Sequence, residues 1–73
     1  MMENTELHSK ANRYVIRLGK FENGIFTKLP LIVREDYDVV SAWTNACREN
    51  NLPMKYISST KTSSGCISIR KMD

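Results

Sequence analysis

The chain is short of the residues that chemistry most often uses: one histidine, two cysteines, three glycines and two prolines in 73 residues. The histidine, His8, lies in the polar opening stretch, residues 1–10. One such histidine and two scattered cysteines do not supply a metal site, whose ligands recur at close, fixed spacing. Cys47 and Cys66 lack Cys-x-x-Cys spacing. They read as two buried thiols in a reducing compartment, with a disulfide as the alternative. Lys61-Thr62 in SSTKTSSG (58–65) has no glycine before it in the loop and no helix after it, so it lacks the frame of a phosphate-binding loop. It reads as a hairpin tip. No apolar run reaches bilayer length, and the opening residues lack the core of a signal peptide. A soluble, cytoplasmic protein is expected, with no membrane, cofactor or small-molecule substrate.

Catalysis needs a nucleophile, base or metal held by neighbours in a cleft. The serines (Ser58, Ser59, Ser63, Ser64, Ser68) cluster at a turn away from any histidine, and Glu35, Asp36 and Asp38 sit where a helix begins. A core this small supplies about 3–5 kcal/mol of net stability, which leaves little to spare for a cleft. The chain is not expected to be an enzyme.

What is present is an ordinary share of apolar residues, 41%, and a bipolar charge layout under a net charge of +3. Residues 11–34 are basic through Arg13, Arg17, Lys20, Lys28 and Arg34; residues 35–51 are acidic through Glu35, Asp36, Asp38 and Glu49; residues 52–73 are basic again. The expected organisation is a flexible tail, residues 1–10, followed by one domain, residues 11–73.

RYVIRLGKFENGIFTKLPLIV alternates with period two around Asn23-Gly24, a pair that favours the positive φ angles of a type I′ turn. The turn predicts a hairpin with Tyr14 opposite Val33, Ile16 opposite Leu31 and Leu18 opposite Leu29 on the core face. The other face receives Arg13 with Arg34, Val15 with Ile32, Arg17 with Pro30, and Phe21 with Phe26. Pro30 has no N–H to give, so strand two should be an edge. A helix over residues 37–50 follows. Asp36 is placed to cap it and Asp38 to complement its dipole. Its apolar stripe is Val39, Val40, Trp43, Ala46 and Cys47. Asn51 suits the left-handed closing residue, with Leu52 packing back and Pro53 stopping the helix. MKYISS and CISIRKM predict a second hairpin, with Ile67 and Ile69 inward and either Tyr56 or Ile57 as their partner. The fold class is α+β: an antiparallel four-stranded sheet in the order 2-1-3-4, one helix on one face, chain order β-β-α-β-β.

One helix covers one face, so the other is bare. It is expected to carry Val15, Ile32, Phe21 and Phe26 among Arg13, Arg17, Lys28 and Arg34. Scattered exposed apolar side chains are common, but an apolar strip rimmed by arginine also has the composition of a binding surface. The candidate contacts are Arg13, Val15, Arg17, Phe26, Lys28, Ile32 and Arg34, with Asp36 and Asp38 available to a basic patch. Protein is the favoured partner. Single-stranded nucleic acid, with phenylalanines stacking bases, is the alternative. Strand two, as an edge, can also take a partner's strand.

In size, bipolar charge and the layout of one helix on a small sheet, the chain resembles small lytic-phage regulators that bind host bacterial RNA polymerase. That resemblance implies a host-takeover factor that displaces sigma factor or suppresses termination, by occluding or clamping the catalytic subunits. Separately, GKFENGIFTK (19–28) resembles the hairpin of a small phage antitoxin that blocks a host RNase toxin, although the segment after Asn50 departs from that pattern.

Overall fold

A computed structural model of the protein describes residues 11–58 and 62–72. The expected N-terminal tail, residues 1–10, and the tip of the second predicted hairpin, residues 59–61, lie outside them.

The architecture is α+β: a four-stranded antiparallel sheet with one helix. β1 (Asn12–Glu22) runs through the centre. Asn23 and Gly24 take φ angles of 55° and 78°, the left-handed pair that a type I′ turn requires. β2 (Ile25–Lys28) returns from that turn in the register the turn dictates, with Phe21 against Phe26 and Gly19 against Lys28.

The return then loses step. Gly19 faces Lys28, yet Ile16 faces Ile32, so Arg17 and Leu18 stand opposite three residues, Leu29 to Leu31. The extra residue falls at Pro30, where no ladder hydrogen bond can be donated. The second strand is therefore split into β2 and β3 (Ile32–Asp36). A one-residue slip reverses every face beyond it. Ile32, Arg34 and Asp36 pair with Ile16, Tyr14 and Asn12, and so turn toward the helix. Val33 and Glu35 pair with Val15 and Arg13, away from it. This corrects the expected pairing of Val15 with Ile32 and of Arg13 with Arg34.

The helix, α1 (Val39–Glu49), begins two residues later than expected. Its N-cap is Asp38, whose Oδ1 accepts from the Ser41 amide at 2.7 Å. Asp36 has other partners and does not cap. At the far end Asn51 adopts φ 58°; its amide donates to Arg48 O and that of Leu52 to Cys47 O, the paired closure of a Schellman motif. Leu52 packs back and is buried.

Ala42, Ala46 and Cys47 face the sheet and pack on Tyr14, Ile16 and Leu18. Two alanines let the helix approach closely. Trp43 joins this core half-buried, while Val39 and Val40 are exposed, so the stripe is rotated from the expected one.

β4 (Gly65–Met72) pairs directly with β1, antiparallel, from Arg13–Met72 to Gly19–Gly65. The expected strand from Met54 is not formed over its described part. Residues 54–58 make one isolated parallel bridge, Tyr56 to Cys66. Ile57 is the inward residue of that segment and Tyr56 the exposed one. The observed order is thus β2 and β3 along one side of β1 and β4 along the other. A second irregularity lies between Arg17 and Leu18 on this side, where Ile67 is the extra residue. It turns Ile67 to the open face and leaves Ile69, opposite Ile16, on the helix face.

Candidate functional site

The open face is built on the odd-numbered residues of β1. Arg13, Val15, Arg17, Gly19 and Phe21 alternate with the buried Tyr14, Ile16 and Leu18. Pairing adds Phe26 and Lys28 from β2, Val33 and Glu35 from β3, and Ser68 and Arg70 from β4. Leu31 and Ile67, at the two irregularities, also lie on this side. Leu31 joins Val15, Ser68, Ile69 and Arg70 in lining a shallow depression of about 140 Å³. Ile67 and Phe26 lean over Gly19, whose missing Cβ leaves them room: a methyl there would stand 2.2 Å from Phe26 Cζ and 2.9 Å from Ile67 Cδ1.

The apolar side chains of the face run from half-buried Val15 on the central strand to the β3 side, where Leu31 is 56% and Val33 60% exposed. Among the described residues the charge on this face is one-sided: Arg13, Arg17, Lys28 and Arg70 against the carboxylate of Glu35. Arg13 Nε meets Glu35 Oε2 at 3.4 Å, both groups well exposed, a pair worth little in water. Arg17 donates to the Leu29 carbonyl at 3.4 Å, so its guanidinium spans the break in the neighbouring strand. Phe21 and Phe26 stand opposite each other in the strand register at the hairpin end of the same face.

Of the predicted contacts, the structure brings Arg13, Val15, Arg17, Phe26 and Lys28 together on this face. It removes Ile32, which packs half-buried against the core, and Arg34 and Asp36, which join sheet to helix. Asp36 Oδ2 accepts from Arg34 Nε and from Asn45 Nδ2, both at 3.0 Å, and its Oδ1 from the Tyr37 amide at 3.0 Å. Arg34 also reaches Glu49 Oε1 at 2.6 Å. The Asn45 amide, then Arg34 and the Tyr37 amide, outweigh burial and hold the Asp36 carboxyl below the usual carboxylate range. Glu49 and Asp36 hold the Arg34 guanidinium charged. Asp36 is therefore committed within the fold. Asp38 is exposed at the helix start, on the side away from the open face.

Sequence reasoning missed Leu31, Val33, Ile67 and Arg70. Pro30 inside a strand was the available signal for the first two.

The two thiols sit elsewhere, buried between α1 and β4. Burial pushes Cys47 up and Cys66 up to about 11, which keeps both protonated at neutral pH and poor as nucleophiles. No helix among the described residues is long and apolar enough to cross a membrane. The chain matches no family model, no curated protein and no solved structure.

Proposed function

We propose that this chain is a non-enzymatic binding module that docks through its open sheet face on an acidic, apolar-studded protein surface. One observation carries the reading: exposed apolar side chains share this face with four cations and one carboxylate among the described residues. Burying the aliphatic side chains supplies affinity, and the cations steer and orient an acidic partner. The same charge works against a second copy docking face to face. The whole-chain resemblance suggests host takeover as the setting, with bacterial RNA polymerase as the proposed partner whose factor exchange or conformation the bound module would alter.

Affinity capture from bacterial lysate, with and without nuclease, tests this. The expected result is nuclease-resistant retention of polymerase, abolished by Arg17→Glu with Val33→Asp while the domain stays folded. Retention unaffected by that double variant moves the site elsewhere, and capture of no specific protein ends the reading.

Phe21 and Phe26 beside Lys28 favour a second reading, single-stranded nucleic acid lying across the hairpin end. A steep fall of affinity for single-stranded RNA with rising salt would support it. Binding that nuclease abolishes would favour it over the first.

A further inference from the structure

Among the described residues β4 is an edge strand, and their backbone engages its outer side at one point. There Cys66 N donates to the Lys55 carbonyl at 2.9 Å, and the Ile57 amide donates to Cys66 O at 2.8 Å. Beyond Cys66, no other backbone among the described residues pairs with that side.

The parity of β1 shows which groups point outward. Leu18 O accepts from the Leu29 amide, so the even residues of β1 address β2 and β3. Phe21 N donates to Ser64 Oγ, on the opposite side. Arg13, Val15 and Arg17 therefore address β4, and their partners Met72, Arg70 and Ser68 turn their backbone groups inward. Ile69 and Lys71 are left with N–H and C=O directed away from the sheet. The other edge of the sheet is interrupted at Pro30; this one is uninterrupted from Ser68 to Met72.

The flank of α1 on the β4 side is apolar. Asn45 and Glu49 occupy the β3 flank of α1, where they hold Asp36 and Arg34. Trp43 occupies the other flank and meets Tyr56, ring centroids 6.3 Å apart and tilted 59°. Val40, one turn earlier on that flank, is 60% exposed. Tyr56 bridges to Cys66, so this flank is on the β4 side, and a strand added about 4.8 Å outside β4 would run along it.

Charge selects the occupant. β4 carries Arg70 on the open side and Lys71 on the helix side, and no acid. A second copy using both outward residues would pair antiparallel about Arg70 and set that arginine against its own counterpart, which is destabilising. A segment with carboxylates opposite Arg70 and an apolar residue opposite Ile69 has complementary chemistry on both sides. We propose that the outer edge of β4 at Ile69–Lys71 accepts an extended, acidic–apolar segment of a partner protein, which adds as a further strand alongside Val40 and Trp43. This site is distinct from the open face and does not depend on it.

The test uses the whole chain and a synthetic peptide alternating valine with glutamate, beside one with lysine in place of glutamate. Amide hydrogen exchange and backbone chemical shifts are read residue by residue. The valine–glutamate peptide should slow exchange at Ile69 and Lys71 by about tenfold or more and shift the Trp43 indole, with the lysine peptide binding about tenfold more weakly. On the backbone Lys71→Pro removes only an outward N–H, so β1–β4 pairing should survive and peptide binding should be lost, while Lys71→Ala, which keeps that N–H, should still bind. Should that variant unfold, Arg70→Glu supplies the check by reversing the preference between the two peptides. The proposal is overturned by unchanged exchange at Ile69 and Lys71 with millimolar peptide. Equal binding of both peptides, protection at Val33 and Glu35 instead, or self-association that Lys71→Pro abolishes would overturn it equally.

Discussion

Asp36→Ala should be among the more damaging single polar substitutions in this domain. It deletes a carboxylate 9% exposed, and with it three hydrogen bonds, from Arg34, Asn45 and the Tyr37 amide. A hydrogen bond to a charged group contributes about 1.5–3 kcal/mol when buried. The Arg34 side chain is 23% exposed and keeps Glu49 as a partner, so the loss is discounted to about 2–3 kcal/mol. In a domain of this size each kcal/mol moves the midpoint by about 4–8 °C, which makes the shift about 10–20 °C. Glu49→Ala removes the shorter contact, 2.6 Å, but its carboxylate is 56% exposed, so about 0–1 kcal/mol is expected there. Urea denaturation followed by Trp43 fluorescence measures both. Because the folded Asp36 carboxyl titrates below its ordinary range, its contribution is complete above the unfolded value and lost as pH falls through the folded one. The gap between wild type and Asp36→Asn should thus be constant above about pH 4 and close below it. Equal losses in Asp36→Ala and Glu49→Ala, or a gap that widens in acid, would refute the reasoning.

Three further outcomes follow. Gly65 has φ 153°, and a Cβ there would stand 2.5 Å from the Lys55 carbonyl oxygen, so Gly65→Ala should cost about 1–3 kcal/mol, read by chemical denaturation, and break the Tyr56–Cys66 bridge. Asn51 holds φ 58° at the helix end, so Asn51→Ala should cost about 1 kcal/mol while Asn51→Gly costs little or stabilises, both read by thermal melting. Cys47 and Cys66 should resist iodoacetamide in the native state and react on unfolding. Burial raises the Cys66 thiol to about 11, so its contribution is intact below the unfolded thiol value and is lost as pH rises through the folded one.

Much of this fold is legible in the sequence where local chemistry decides it. Asn23-Gly24 fixes a turn and therefore the pairing of β2, which is why Arg13, Val15, Arg17, Phe26 and Lys28 could be assigned to one face. Asn51, Leu52 and Pro53 fix the helix end in the same way. The legible part stops at Pro30. Beyond it Leu31, Ile32 and Val33 form a continuous apolar run with no alternation, so the pattern cannot tell which of them faces inward, and one inserted residue decides it. That residue also moves Arg34 and Asp36 from the solvent side to the helix, where Asn45 and Glu49 meet them. Residues 54–58 failed as a strand for a tertiary reason: β1, with its own run of buried residues, takes β4 directly and leaves that segment one bridge. Arg70 was missed because the register of β4 depends on β1 and not on a hairpin of its own.

Which side chains the open face carries rests on that one-residue slip. A single nuclear Overhauser contact reads it. Val15 directs its backbone groups toward β4, so Val15 and Val33 form a non-hydrogen-bonded pair across β1 and β3, about 4.5 Å apart at Cα. A strong contact between the α-protons of Val15 and Val33 is predicted. The same contact between Val15 and Ile32 would contradict the account, returning Ile32 and Arg34 to the open face and taking Val33 and Glu35 from it.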